Sequence, residues 1–337
     1  MTDLYSVPGS FQKSIDALSE NPEARLLLAA WFDYSRGEAD KVYEIANYLL
    51  NKHSGFYAII SAGMLLAFAA IWKGDLNMWR KAKMHIAQAP SKTDHERDII
   101  AFSITSVDSM LYDVSSFPEW FKKGCFEPLH KDSLPAAKVF YAKYLYAVAY
   151  AIATKEIEIE GTYGLYTMST VPYAIEPMIS QAIADGSVMT EAYLRLTCAT
   201  VYHTVGNDKE AIRHIDCAVS LAIADRLYGV LAEYCRTLGT LLQNSIVKVD
   251  PAVWENVRLL YKTYNEGWSK LSGSVRGKYI NTTLSAREFE VAKLAAFGMK
   301  NGEISQKLNM SISGVKQAIT NISSKTGMRR GEFAAIL

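Results

Sequence analysis

Over the first 270 positions apolar residues recur at helical spacing, and runs that alternate apolar with polar are nearly absent. The pattern predicts helices at Leu26–Ser35, Phe56–Trp72, Ile99–Leu111, Ala136–Ala153, Glu191–His203 and Leu227–Leu242. The one strand-like run, Ile157-Glu158-Ile159, is too short to build a sheet, so the fold class is all-α. The helices are joined in a recurring way. Trp31-Phe32-x-Tyr34-x-x-Gly37 leads into a stripe of Val42, Ile45, Ala46 and Leu49. Ile71-Trp72-Lys73-Gly74-Asp75 leads into Trp79, Ala82 and Ile86. Val201 to Asp208, with Gly206 inside it, leads into Ala211, Ile215, Ala218 and Ala222. In each joint a glycine can end one helix in a left-handed conformation. In the last two an aspartate, Asp75 or Asp208, is expected to cap the next helix.

Gly37 and Gly74 are 37 residues apart, and Gly206 falls near a multiple of that period. Period, joint and small-residue positions resemble tetratricopeptide-type repeats, about six of which would fill residues 20–265. An irregular helical domain without true repeats stands as the alternative. Ser115–His130 and Thr154–Pro177 interrupt the pattern, and the second reads as a loop over the array. Leu271-Ser272-Gly273-Ser274-Val275-Arg276-Gly277 has the composition of a flexible linker. The expected organisation is a helical-repeat domain at 1–270, a linker at 271–279 and a second domain at 280–337.

Charge sharpens that division. The net charge is +1, yet residues 276–337 carry ten Lys/Arg against four acids, so the body ahead of them is acidic. A small basic domain on an acidic body points to a polyanionic partner for the small domain alone. Four cysteines without paired spacing (Cys125, Cys198, Cys217, Cys235) fit a reducing, cytoplasmic setting better than a disulfide framework. The N-terminal residues lack the basic and apolar regions of a signal peptide. Phe56–Trp72 runs seventeen residues without a charge, which reads either as a membrane span or as a buried helix; its Ala, Gly and Ser content favours burial.

After the linker, Ser285 and Glu288 form the capping-box pattern of a helix running to about Phe297. A short helix follows at Asn301–Leu308, then a turn at Asn309-Met310-Ser311, a third helix to about Lys325 and a fourth at Arg330–Leu337. Ile312, Val315, Ile319 and Ile322 should form the buried stripe of the third helix. Its other face carries Ser313, Lys316, Gln317, Thr320, Asn321 and Ser324, and no acid occurs from Ile304 to Arg330. Polar side chains of that length on a helix after a tight turn suit a DNA major groove.

The stretch Leu284-Ser285-x-Arg287-Glu288-x-Glu290-Val291 … Ala296-x-Gly298-x-x-Asn301-x-Glu303-Ile304 … Leu308-x-Met310-Ser311 … Val315-Lys316 … Ile322-x-x-Lys325-x-Gly327-Met328 resembles the LuxR-type (FixJ or NarL-type) helix-turn-helix. The resemblance implies a sequence-specific transcription regulator that binds double-stranded DNA as a homodimer. It puts Lys316, Gln317 and Thr320 at base edges and Ser313, Gly314, Lys325 and Lys300 at phosphates. The chain departs from the family's usual residues at Gly314, which removes a hydroxyl and weakens the helix by about 1 kcal/mol, at Ala318 and at Gly302. Helical repeats ahead of such a module resemble the end portion of MalT-like regulators, in which a repeat domain receives an inducer or partner. The phosphate-binding motif of that group's ATPase does not occur. The alternative reading is a protein-interaction adaptor with a degenerate, weakly DNA-binding module.

No hydrolase, metalloprotease or dinucleotide motif occurs, so neither an enzyme nor a cofactor is expected. His214 and Cys217, one turn apart, with His203 and Cys235 nearby, could hold a metal but read better as core residues, so no metal site is assigned. The many aromatic residues of the first domain suit helix joints; an aromatic groove for an effector would draw on Tyr163, Tyr166 and Tyr173. Arg330–Leu337, with Phe333, Ile336 and Leu337, is the expected dimer contact.

Overall fold

Each apolar stretch predicted above folds as a helix. The structure, a computed structural model, describes residues 5–52, 55–113, 117–153, 167–276, 284–326 and 328–336, and no strand occurs among them. The first domain contains α1 (Phe11–Asp16), α2 (Pro22–Arg36), α3 (Ala39–Asn51), α4 (Phe56–Lys73), α5 (Leu76–Ala87), α6 (Asp94–Ser109), α7 (Glu119–Lys122), α8 (Leu134–Ala153), α9 (Val171–Ala184), α10 (Val188–Thr204), α11 (Asp208–Ile223), α12 (Tyr228–Val249) and α13 (Pro251–Arg276). The predicted strand-like run at 157–159 lies outside the described residues.

The joints behave as their glycines require. Gly37, Gly74 and Gly206 have φ of +88°, +59° and +83°, where a side chain would be strained. Asp75 caps α5 by accepting from the Met78 N–H at 3.0 Å. The cap of α11 is Asn207 and not Asp208; Asn207 accepts from Glu210 N–H at 3.4 Å. Asp208 instead accepts from His203 Nδ1 at 2.7 Å, a bond that holds its carboxyl below the usual range.

Consecutive helices pack as hairpin neighbours, from α2 to α5 and again from α8 to α13. α4 is long and apolar enough to cross a membrane, but it lies between α3 and α5 with α13 across it, and thirteen of its residues are buried. It is a core helix here. The two halves also meet: α13 returns onto α4 and α12 onto α2. Two glycines permit that closure. A Cβ on Gly267 would stand 2.2 Å from the Ile71 carbonyl oxygen, and one on Gly229 would stand 2.6 Å from the Gly37 nitrogen. The helical domain is thereby closed on itself around one core.

The expected linker is also different. α13 continues through residues 271–276 with Leu271 and Ser272 buried, because Val257, Tyr264, Trp268 and Leu271 form one helical stripe. That burial overrides the local Ser-Gly-Ser composition. Residues 277–283 lie outside the described set.

Candidate nucleic-acid interface

The C-terminal module is built from α14 (Ala286–Ala296), α15 (Asn301–Leu308), α16 (Ile312–Thr326) and a 3₁₀ turn at Arg330–Ile336. Its core is separate from that of the helical domain and includes Leu284, Val291, Leu294, Ile304, Val315, Ile322 and Phe333. The predicted capping box is present: Glu288 N–H donates to Ser285 Oγ at 3.2 Å, and Ser285 N–H donates to Glu288 Oε2 at 2.8 Å.

The turn between α15 and α16 follows from its residues. Asn309, a type that tolerates the left-handed region, ends α15 at φ +53°. Met310 N–H then donates to the Ser305 carbonyl at 2.9 Å, and Ser305 Oγ donates back to the Met310 carbonyl at 2.5 Å. Ser311 starts α16 by accepting from Gly314 N–H at 3.0 Å. Val315 and Ile322 are fully buried below α16, and Ala318 joins them. Ile312, placed in that stripe from its spacing, is 52% exposed, because the first turn projects beyond the small core.

On the outer face Ser313, Lys316, Gln317, Thr320 and Ser324 are exposed. Gln317 Nε2 donates to Asn321 Oδ1 at 3.0 Å and Thr320 Oγ1 to the Lys316 carbonyl at 3.1 Å, so both side chains are held on the helix surface. Lys300 is exposed at the start of α15, where its backbone N–H donates to Glu303. Lys325 is placed differently. Its ammonium lies 2.6 Å from Glu288 Oε2, with the two side chains 12% and 10% exposed, and burial pushes the amine below its ordinary value. It ties the end of α16 to the start of α14.

Phe333 is fully buried in the module's own core, and Arg330 bonds to Asn301 Oδ1 and to the Met299 carbonyl. The segment expected to pair two copies therefore spends both residues on closing the module. Gly327 and Leu337 lie outside the described residues.

Residues 282–332 match the family model described as "Bacterial regulatory proteins, luxR family". The C-terminal module is a LuxR-family helix-turn-helix domain. No curated protein and no solved structure matches the chain. The match is confined to residues 282–332, and a helical N-terminal region precedes it.

The LuxR-family domain is docked against the helical domain. Tyr150 Oη donates to the Leu284 carbonyl, and Arg287 approaches Gly206 and Asp208. Between them is a cleft of about 660 Å³, with Gln317, Asn321 and Ser324 on one wall and Thr237, Trp254 and Arg258 on the other. Lys316, Ser313 and Thr320 do not line it.

The sequence-level groove residues fare less well. Tyr163 and Tyr166 lie outside the described residues, and Tyr173 is 81% exposed and lines none of the cavities described here. A cavity exists elsewhere, among Trp31, Phe68, Phe140, Lys143 and Glu233, and sequence reasoning missed it. The signal was available: Lys143 and Glu233 are charges of opposite sign inside largely apolar helical runs. The possible metal donors also regroup. Glu176, Cys198 and His214 converge within 4.8 Å, but Arg213 donates to Glu176 at 3.0 Å and its guanidinium already supplies the positive charge there.

Proposed function

We propose that this protein is a sequence-specific transcription regulator whose helical domain responds to a small molecule or protein partner. The reading rests above all on α16: a polar, acid-free, exposed face on the second helix of a LuxR-family helix-turn-helix. In the major groove Lys316 would donate to guanine O6 and N7, and Gln317 would pair with adenine N6 and N7. Thr320 would contact a neighbouring base, while Ser313, the Gly314 backbone and Lys300 would hold phosphates. Lys325 supports this surface through Glu288 instead of joining it. Binding as a homodimer to a two-fold operator is part of the reading, since paired half-sites suit single recognition helices.

The docked arrangement adds a regulatory element. A duplex against Gln317 and Asn321 would occupy the space held by α12 and α13, so full engagement requires the domain to swing away from the cleft. An effector that loosens this docking would raise DNA affinity.

The test is binding of the full-length protein to its own upstream DNA and to shuffled DNA of equal length, across a salt series. A preference of about 10³ or more, with affinity falling steeply as salt rises, is expected of a regulator. Equal, weak binding to both, with or without added cell extract, would favour a protein-interaction adaptor.

A further inference from the structure

The helical domain holds a partly open cavity of about 200 Å³ between its two halves. Most of its wall is apolar, with Leu27, Leu28, Trp31, Phe68, Phe140 and Met189 among the lining residues. One end is charged. Lys143 of α8 and Glu233 of α12, their side chains 13% and 4% exposed, line it together, and the Lys143 ammonium is 3.4 Å from Glu233 Oε2. Tyr34 Oη donates to the other carboxylate oxygen.

One feature separates this from a packing defect. A void left by imperfect packing is normally apolar, whereas buried charges are kept only where they are paired and well bonded. Here, among the described residues, the ammonium meets Glu233 at 3.4 Å, the Met110 sulfur at 3.1 Å and the ring faces of Tyr193, Tyr234 and Phe140 at 5.1–6.0 Å. Thioether sulfur is a weak acceptor, so a ligand carbonyl would take the N–H that Met110 now holds. Tyr5 lines the cavity, and its segment is held by Asp225, which accepts from Tyr5 Oη at 2.5 Å and from Gly9 N–H at 2.6 Å.

We infer that this cavity binds a small, uncharged aromatic molecule carrying adjacent hydrogen-bond acceptor and donor groups, of the carboxamide class. Size sets the body: a cavity of about 150 Å³ holds benzene, so this one takes a single ring with a few further atoms. Charge sets the head. Lys143 and Glu233 together are neutral, so an ionised ligand would leave one buried charge unmatched, at high cost. A carboxamide satisfies both: its carbonyl accepts from Lys143 and its N–H donates to Glu233. The inference deepens the sensor reading of the helical domain by naming its ligand class.

Calorimetry and ligand-observed NMR on the full-length protein, without DNA, test it with benzamide, cinnamamide, benzoate, benzylamine and ethylbenzene. The amides should bind at least about tenfold more tightly than the other three, because those leave buried donors or charges unmatched. Lys143→Met should abolish the preference for amides while leaving ethylbenzene binding in place. Ala24→Phe, which fills the cavity from its edge, should abolish binding of all five and decides the matter if the first variant does not fold. Failure of both amides to bind, or ethylbenzene binding as well as they do, overturns the inference, as does amide binding unchanged in Ala24→Phe. Since DNA is absent, such a failure leaves the DNA-binding reading untouched. A failed DNA experiment likewise leaves the amide result standing.

Discussion

Lys325 shows how one residue can fit two roles until its surroundings are known. From its position near the end of α16 it reads as a phosphate contact, but in three dimensions it faces Glu288, whose other partners are the Ser285 cap and its own helix start. Removing one member of a buried pair leaves the other charge uncompensated, typically at 3–5 kcal/mol. Lys325→Ala should therefore destabilise the DNA-binding domain by about 3 kcal/mol, read as early unfolding of that domain in denaturant. Stability unchanged with DNA affinity lowered would return Lys325 to the phosphate-contacting set. The same logic explains why the site was only partly legible. Which residues of α16 face outward follows from its period, and Lys316, Gln317 and Thr320 are exposed as read. What fills the space beyond the helix does not follow, and Glu288 is 37 positions away. Ile312 failed for a related reason: a period says which residues share a face, not how far the core extends beneath it.

At the scale of elements, the helices and their joints were legible because Gly37, Gly74 and Gly206 each answer a local demand of backbone conformation. The closure of the domain was not, since it depends on pairings between distant helices. Gly267 reads as an indifferent residue within α13 until the Ile71 carbonyl is found against it. Gly267→Ala should force α13 away from α4 and cost about 1–3 kcal/mol, seen as a lower thermal midpoint. A gain in stability, as expected of alanine in an unobstructed helix, would mean that the seam is looser than described. Ser-Gly-Ser at 272–274 misled in the opposite direction: composition marked a linker, but burial of Leu271 and Trp268 carried the helix through it.

At the scale of the molecule, the acidic helical domain and the basic C-terminal domain meet with Arg287 close to Asp208. Asp208→Arg would set like charges against each other across that contact. It should loosen docking and raise operator affinity by roughly threefold to tenfold, the range of modest coupling energies, as measured by fluorescence anisotropy at fixed salt. Affinity that stays constant would mean that docking does not limit access to α16. The cavity and the cleft lie on the same helix, α12, which supplies Glu233 to one and Thr237 to the other. That shared element gives a ligand in the helical domain a physical route to the DNA-binding face.

If α16 reads base edges, Lys316 is the residue whose loss should show it. On the protein's own upstream DNA, Lys316→Ala should lose about 1–3 kcal/mol of specific binding, the worth of one good bidentate base contact. Affinity for shuffled DNA should fall only by the share of one cation, and the unfolding midpoint should not move. Equal loss on both DNAs would make Lys316 a phosphate contact, and unchanged affinity on both would contradict the account.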